Sequence, residues 1–196
     1  MKILLYLFAL LLVSCSTTSV EYRTATTSLR NDRDYNKAEE YALKALDVDT
    51  NDALPAYFLA MEVYGSSSSP KKDYKKAASY FAKALEIDAL DGENQKLESS
   101  KIVPTSDGGQ KELKTIKAAI EYYSYNLWAE SFNEGISLIS EGKNDKALEL
   151  FLVVLAHFKF PSQVSSSPPG SHISPDLDLL VHVYSLILSE LWLTEK

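Results

Sequence analysis

Small and apolar residues recur at spacings of three and four through much of the chain, and the clearest case is DYKKAASYFAKALEID, Asp73 to Asp88. Ala77, Phe81, Ala84 and Leu85 fall on one helical face, with polar residues on the other side. A near copy, DYNKAEEYALKALDVD, begins 39 residues earlier at Asp34, with nine of sixteen positions identical and no gap. Ala38, Ala42, Ala45 and Leu46 take the same places there. The separation of packed helices is set by the side chains at their contact, so alanines allow a close approach. Each copy predicts an amphipathic helix held tightly against a partner.

The partner should precede each copy. Before the second lies LPAYFLAMEVYG, residues 54–65, with Pro55 where a first helical turn tolerates proline. Leu59, Ala60 and Val63 are its packing residues. Before the first copy lies EYRTATTSLRND, residues 21–32, a weaker pattern. Leu29 is its large apolar residue, and Thr24, Thr26, Thr27 and Ser28 lower its helix propensity. GSSSSP, residues 65–70, predicts a polar turn extension that stays off the packing faces and costs little stability.

A fainter third copy spans residues 131–158, with Gly135, Leu138, Ala147, Phe151, Val154 and Leu155 as its packing positions and a turn at Gly142. Between the second and third copies, residues 88–110 carry Gly, Pro, Ser and Asp punctuation and predict mainly loop. From Lys111 a helix is expected again, with Leu113, Ile116, Ala119, Ile120 and Tyr123 on one face. It is either one helix of a decayed repeat or a long helix running into the third copy. Tyr122, Tyr123, Tyr125 and Trp128 cover more than one face of it and are expected to be mostly core, with at least one exposed. Residues 160–175 hold four prolines and predict a linker-like loop. A closing helix is expected over 174–195, with Ser174 as N-cap and Pro175 in its first turn. Its body, Leu177 to Leu193, is apolar nearly all round, so it packs deeply or offers a surface to a partner.

Repeated pairs of this kind resemble the tetratricopeptide repeat (TPR) family. The family period is 34 residues; the offset of 39 here exceeds it by five, which the serine turn accounts for. Gly135 and Ala147 stand twelve apart, the family spacing of two small residues that pack a helix pair. Ala147 lies 70 residues after Ala77, two normal periods with two residues over. The resemblance implies an all-α superhelical solenoid of about three helix pairs, near residues 19–52, 53–91 and 128–161, with an irregular insert at 92–127 and a C-terminal apolar helix at 174–195. In the family, the first helix of each repeat lines a concave groove. Carried over, the groove-facing places fall on Arg23, Thr27 and Arg30, on Tyr57, Met61 and Tyr64, and on Phe132, Ile136 and Ile139. Such a groove implies a peptide or protein partner with apolar anchors, whose carboxylate could meet Arg23 or Arg30. If neighbouring helices cover these positions, the same residues are core instead.

The N-terminus reads differently. Lys2 is followed by an apolar run from Ile3 to Val13, too short to span a bilayer and suited to the core of a signal peptide. It ends in LVSC, residues 12–15, which resembles the bacterial lipobox. The resemblance implies removal of residues 1–14, leaving 15–196, and lipid attached to Cys15, the single cysteine of the chain. At about 0.8 kcal/mol per buried methylene, several acyl chains anchor a protein stably. The alternative is an ordinary secretory signal with an incidental cysteine. Ser16 next to the lipid implies, by the habit of Gram-negative lipoproteins, an outer-membrane anchor facing the periplasm.

Composition narrows the function. Apolar residues make up 45% and charged residues 24%, the balance of an ordered domain with a sizeable core. A net charge of -7 without a Lys/Arg stripe argues against nucleic acid as a partner. The chain has no phosphate-binding glycine loop, no HExxH, no cysteine pair and no G-x-S-x-G. Asp178 and His182 could share a helix face, but a metal site needs three or four ligands, and a surface pair is expected. Neither catalysis nor a cofactor or metal is expected. The sequence reading is a lipid-anchored scaffold that binds an envelope protein or peptide segment. The alternative is an accessory or ligand-carrier component of a periplasmic transport system.

Overall fold

The computed structural model describes residues 18–92, 95–105 and 107–157. Cys15, the proline-rich linker and the helix expected at 174–195 lie outside the described residues. The described chain is mainly helical, with one small two-stranded sheet.

Helix α1 (Val20–Thr27) starts where the Ser19 hydroxyl accepts a hydrogen bond from Tyr22 N at 3.1 Å. It continues through a π-type turn, Ser28–Asp32, that ends at Arg33 in the left-handed region (φ 52°). Helix α2 (Tyr35–Val48) is capped by Asp34, whose carboxylate accepts from Lys37 N at 3.0 Å. Helix α3 (Leu54–Phe58) carries Pro55 in its first turn and also runs into a π-type turn, Leu59–Tyr64. Helix α4 (Tyr74–Leu90) repeats the cap of α2, with Asp73 accepting from Lys76 N at 3.0 Å. The duplicated sequence thus forms a duplicated local structure, cap included.

Strands β1 (Lys96–Pro104) and β2 (Gln110–Thr115) then form an antiparallel ribbon. Helix α5 (Ile116–Ser140) begins at Thr115, whose hydroxyl accepts from Ala118 N at 3.2 Å. It turns at Gly142, which adopts a left-handed φ of 74° so that Lys143 N reaches Leu138 O at 2.8 Å. Helix α6 (Asn144–His157) follows.

The helices pack in consecutive pairs: α1 on α2, α3 on α4 and α5 on α6. Neighbouring pairs touch through α2 with α3 and α4 with α5. Ala38, Ala42, Ala45, Ala77 and Ala84 are all completely buried, as their small-residue spacing predicts. Leu59 and Val63 are also fully buried, and such side chains contribute about 1.5–3 kcal/mol each when removed from water. One apolar core runs through the first two pairs, the ribbon and the first half of α5. A second, smaller cluster joins Phe132, Ala147 and Phe151 between α5 and α6.

Four expectations are corrected. The insert is not loop but the ribbon, so the described chain is not all-α. The helix expected from Lys111 begins at Ile116, and Leu113 is a fully buried strand residue. Leu85 does not share the buried face of α4; it is exposed, while Ile87 and Asp88 are buried. The serine turn does not stay off the packing faces: Ser69 is buried, donates to Val63 O and accepts from Lys71 N at 3.1 Å. Of the two alternatives for α5, the structure has the long helix, 25 residues without interruption.

Candidate functional site

The ribbon packs on α5, and its strand β1 lines, together with the first helices of the first two pairs, a cleft of about 350 Å³. From α1 and its π-type turn come Tyr22, Thr26, Leu29 and Arg30. From α3 and its π-type turn come Leu54, Tyr57, Phe58 and Glu62. Leu97, Glu98, Ser99 and Lys101 come from β1. Departures from α-helical winding are frequent at functional positions, and here they place Leu29, Arg30 and Glu62.

Tyr22 and Phe58 meet edge to face, with ring centroids 5.9 Å apart, and Tyr57 lies against Phe81 at 6.3 Å. Tyr22, Tyr57 and Phe58 are all buried, so their rings form a fixed floor. Burial pushes both tyrosine phenols up, and for Tyr22 the nearby Glu98 and Asp52 carboxylates add to it. Both phenols therefore remain neutral donors across the physiological range. The Asp52 carboxyl is also raised by burial, against a lowering hydrogen bond from Leu54 N.

Charge surrounds this floor. Arg30, Glu62, Glu98 and Lys101 are exposed, and among the described residues none of the four enters an ion pair. A cleft with an aromatic floor and unengaged charges of both signs can hold an extended polar chain with an apolar anchor. Among the described residues no three His, Cys, Asp or Glu side chains come together as metal ligands, and no helix is long and apolar enough to cross a membrane. Asp178 and His182 lie outside the described residues.

The residues expected to line a groove divide into several environments. Arg30 and Tyr57 line the cleft. Arg23 and Thr27 are exposed on α1 but do not line it. Met61 is half-buried and packs against the main core. Tyr64 is buried on the other side of α3, stacked on Tyr80 at 5.5 Å, with its hydroxyl donating to Glu39. Phe132 is buried against Phe151 and Trp128, with ring centroids 5.5 and 5.6 Å away. Ile136 and Ile139 pack around that cluster.

Sequence reasoning did not single out Tyr22, Glu62 or the β1 residues. Tyr22 had a signal, as an aromatic residue one turn before Thr26 on the same face as Leu29. The β1 residues had none, because they reach the cleft only through the folding of the ribbon.

Compared with protein-family models, with curated proteins and with solved structures, the chain matches none of them.

Proposed function

We infer that the chain is a lipid-anchored scaffold that binds a peptide segment of another protein at the bacterial envelope. The observation that carries this reading is the cleft on α1 and α3, with its buried aromatic floor and four unengaged charges. Consecutive packing of three helix pairs supports a TPR-like solenoid, in which first helices line the binding face. The lipobox-like LVSC supports attachment through Cys15, and Ser16 supports the outer membrane.

The test is affinity capture from detergent-solubilised envelope of the source cells, using the lipidated chain and its Arg30→Glu and Glu98→Lys variants. Both positions are exposed, so the variants should keep the fold. The expected result is a stoichiometric partner that the native chain retains and the variants lose. A partner retained equally by all three, or none, sinks the scaffold reading. A small molecule held through native mass spectrometry, with no protein partner, would favour the ligand-carrier role instead.

A further inference from the structure

Among the described residues the buried tyrosines are Tyr22, Tyr57, Tyr64 and Tyr74. Two of them are paired inside the protein: Tyr64 donates its hydroxyl to Glu39, and Tyr74 donates to Glu134 at 2.9 Å. Tyr22 and Tyr57 differ. Neither phenol has a hydrogen-bond partner among the described residues, and neither oxygen is sealed from solvent as Asp88 Oδ2 is. These two are also the tyrosines that line the cleft. A buried tyrosine hydroxyl ordinarily finds a partner. Here two rings, only 4% and 8% exposed, are held against Phe58 and Phe81, while their donors are left for whatever enters the cleft.

We propose that Tyr22 and Tyr57 are the specificity-determining donors of the cleft, each hydrogen-bonding a main-chain carbonyl of the bound peptide. The proposal rests on the peptide-binding reading above and adds what the cleft recognises, which is the peptide backbone and not a charged side chain.

The donors and the charges of the cleft select this chemistry together. Burial keeps both phenols protonated, so they match a neutral acceptor. Arg30 and Lys101 stand against Glu62 and Glu98 in the same lining, so neither a carboxylate nor an ammonium group is favoured over the other. A peptide main chain is neutral and carries one donor and one acceptor per residue. Its carbonyls suit the phenols, and its N–H groups suit the carboxylates of Glu62 and Glu98 and the hydroxyl of Ser99. Leu29, Leu54 and Leu97, half-buried in the same lining, offer apolar contact to its side chains. The Tyr22, Tyr57 and Phe58 rings are buried, so no open ring face is left for a sugar or a nucleobase to stack on.

The test uses the full chain and a fluorescent, end-blocked heptapeptide, Ser-Thr-Leu-Gly-Leu-Thr-Ser, read by anisotropy. Copies with Lys or Asp in place of the central Gly should bind within about threefold of it. Tyr22→Phe and Tyr57→Phe keep the rings and remove the hydroxyls. Each should weaken binding about three- to tenfold. Their urea midpoints should match the native chain, because no internal hydrogen bond is lost. Tyr74→Phe should do the reverse, lowering the midpoint through the lost bond to Glu134 and leaving affinity unchanged. Native affinity in both cleft variants, or no binding of the neutral peptide up to about 1 mM, overturns the proposal. Lowered midpoints in the cleft variants reveal internal partners and overturn it as well. Binding of maltotriose instead of the peptide, lost in Tyr22→Phe, overturns it in favour of a saccharide. Envelope capture decides the broader reading separately: a partner kept by Tyr22→Phe and Tyr57→Phe but lost by Arg30→Glu leaves the scaffold standing without the backbone grip.

Discussion

The side-chain oxygen of Gln95 accepts a hydrogen bond from the backbone N–H of Ala53 at 2.7 Å. This joins the start of the ribbon to the turn before α3, 42 residues away in sequence. The same residue donates from its side chain to Asn51 O and from its backbone to Asp88 Oδ1, the latter at 2.9 Å. Its carbonyl accepts from Ile116 N at 3.0 Å, where α5 begins. Gln95 thus ties together three segments that meet at the base of β1, and holds β1 over the cleft.

Replacing Gln95 by Ala should therefore loosen the ribbon. Ala53 is fully buried, so its N–H would lose a partner that water cannot easily replace. The expected cost is about 1–3 kcal/mol, read from urea unfolding. Hydrogen exchange should rise more in β1 than in α4. Gln95→Glu keeps the acceptor for Ala53 but loses the donor for Asn51, and should fall between the two.

Glu39 gives a pH dependence. Its carboxylate accepts from the Tyr64 hydroxyl and pairs with Lys71. Burial works to raise its pKa, but the Lys71 and Tyr64 hydrogen bonds outweigh it, and the carboxyl lies below its ordinary value of 4.5. A carboxyl lowered on folding stabilises above its unfolded pKa, and the contribution disappears as pH falls through the folded value. Glu39→Gln should cost about 1–3 kcal/mol at neutral pH. The gap between variant and native chain should shrink in unfolding curves taken as pH falls below 4.5. A gap that stays constant would contradict the sign argued here.

Gly135 faces Phe151 so closely that an added Cβ would sit 2.6 Å from two ring atoms. Alanine is favoured over glycine in a helix by about 1 kcal/mol, yet Gly135→Ala should destabilise by about 1–2 kcal/mol through overpacking. The Phe151 ring is only 3% exposed and has little room to move aside. Combining it with Phe151→Leu should recover part of the loss, seen as a non-additive double-mutant cycle in thermal unfolding.

Asp34 and Asp73 test the equivalence of the duplicated helices. Each caps its helix through one hydrogen bond of 3.0 Å to the residue three positions on. Each Asp→Ala change should cost about 0.5–2 kcal/mol. The caps serve separate helices, α2 and α4, so the double variant should lose the sum in chemical denaturation.

Much of the helical part was legible because its signals are local. The alanine spacing, Pro55 and Gly142 each act within a few residues of themselves. The ribbon was not legible for a related reason. Lys111, Leu113 and Thr115 alternate with period two, but Leu113 is the one large apolar residue among them and fits a helical face with Ile116 equally well. Residues 96–110 offer Val103 as their buried apolar side chain, amid Ser, Gly and Pro that read as loop.

The candidate site divides the same way. The resemblance to the repeat family put Arg30 and Tyr57 at groove-facing places of first helices, and they line the cleft. Spacing could not say that Tyr64 turns to Glu39 and Tyr80, or that Phe132 is taken up by Phe151. A helix face is a local property, whereas its cover depends on which other segment packs there.

By itself, then, the sequence determined the small-residue helices and their partners, because helical period is set by neighbouring residues. Only the tertiary structure decided that residues 96–115 form a ribbon, that Gln95 pins it to Ala53 and Asp88, and that β1 closes the cleft over α1 and α3. Strand pairing and long-range hydrogen bonds join residues distant in sequence, and nothing in the local pattern marks which partner each will meet.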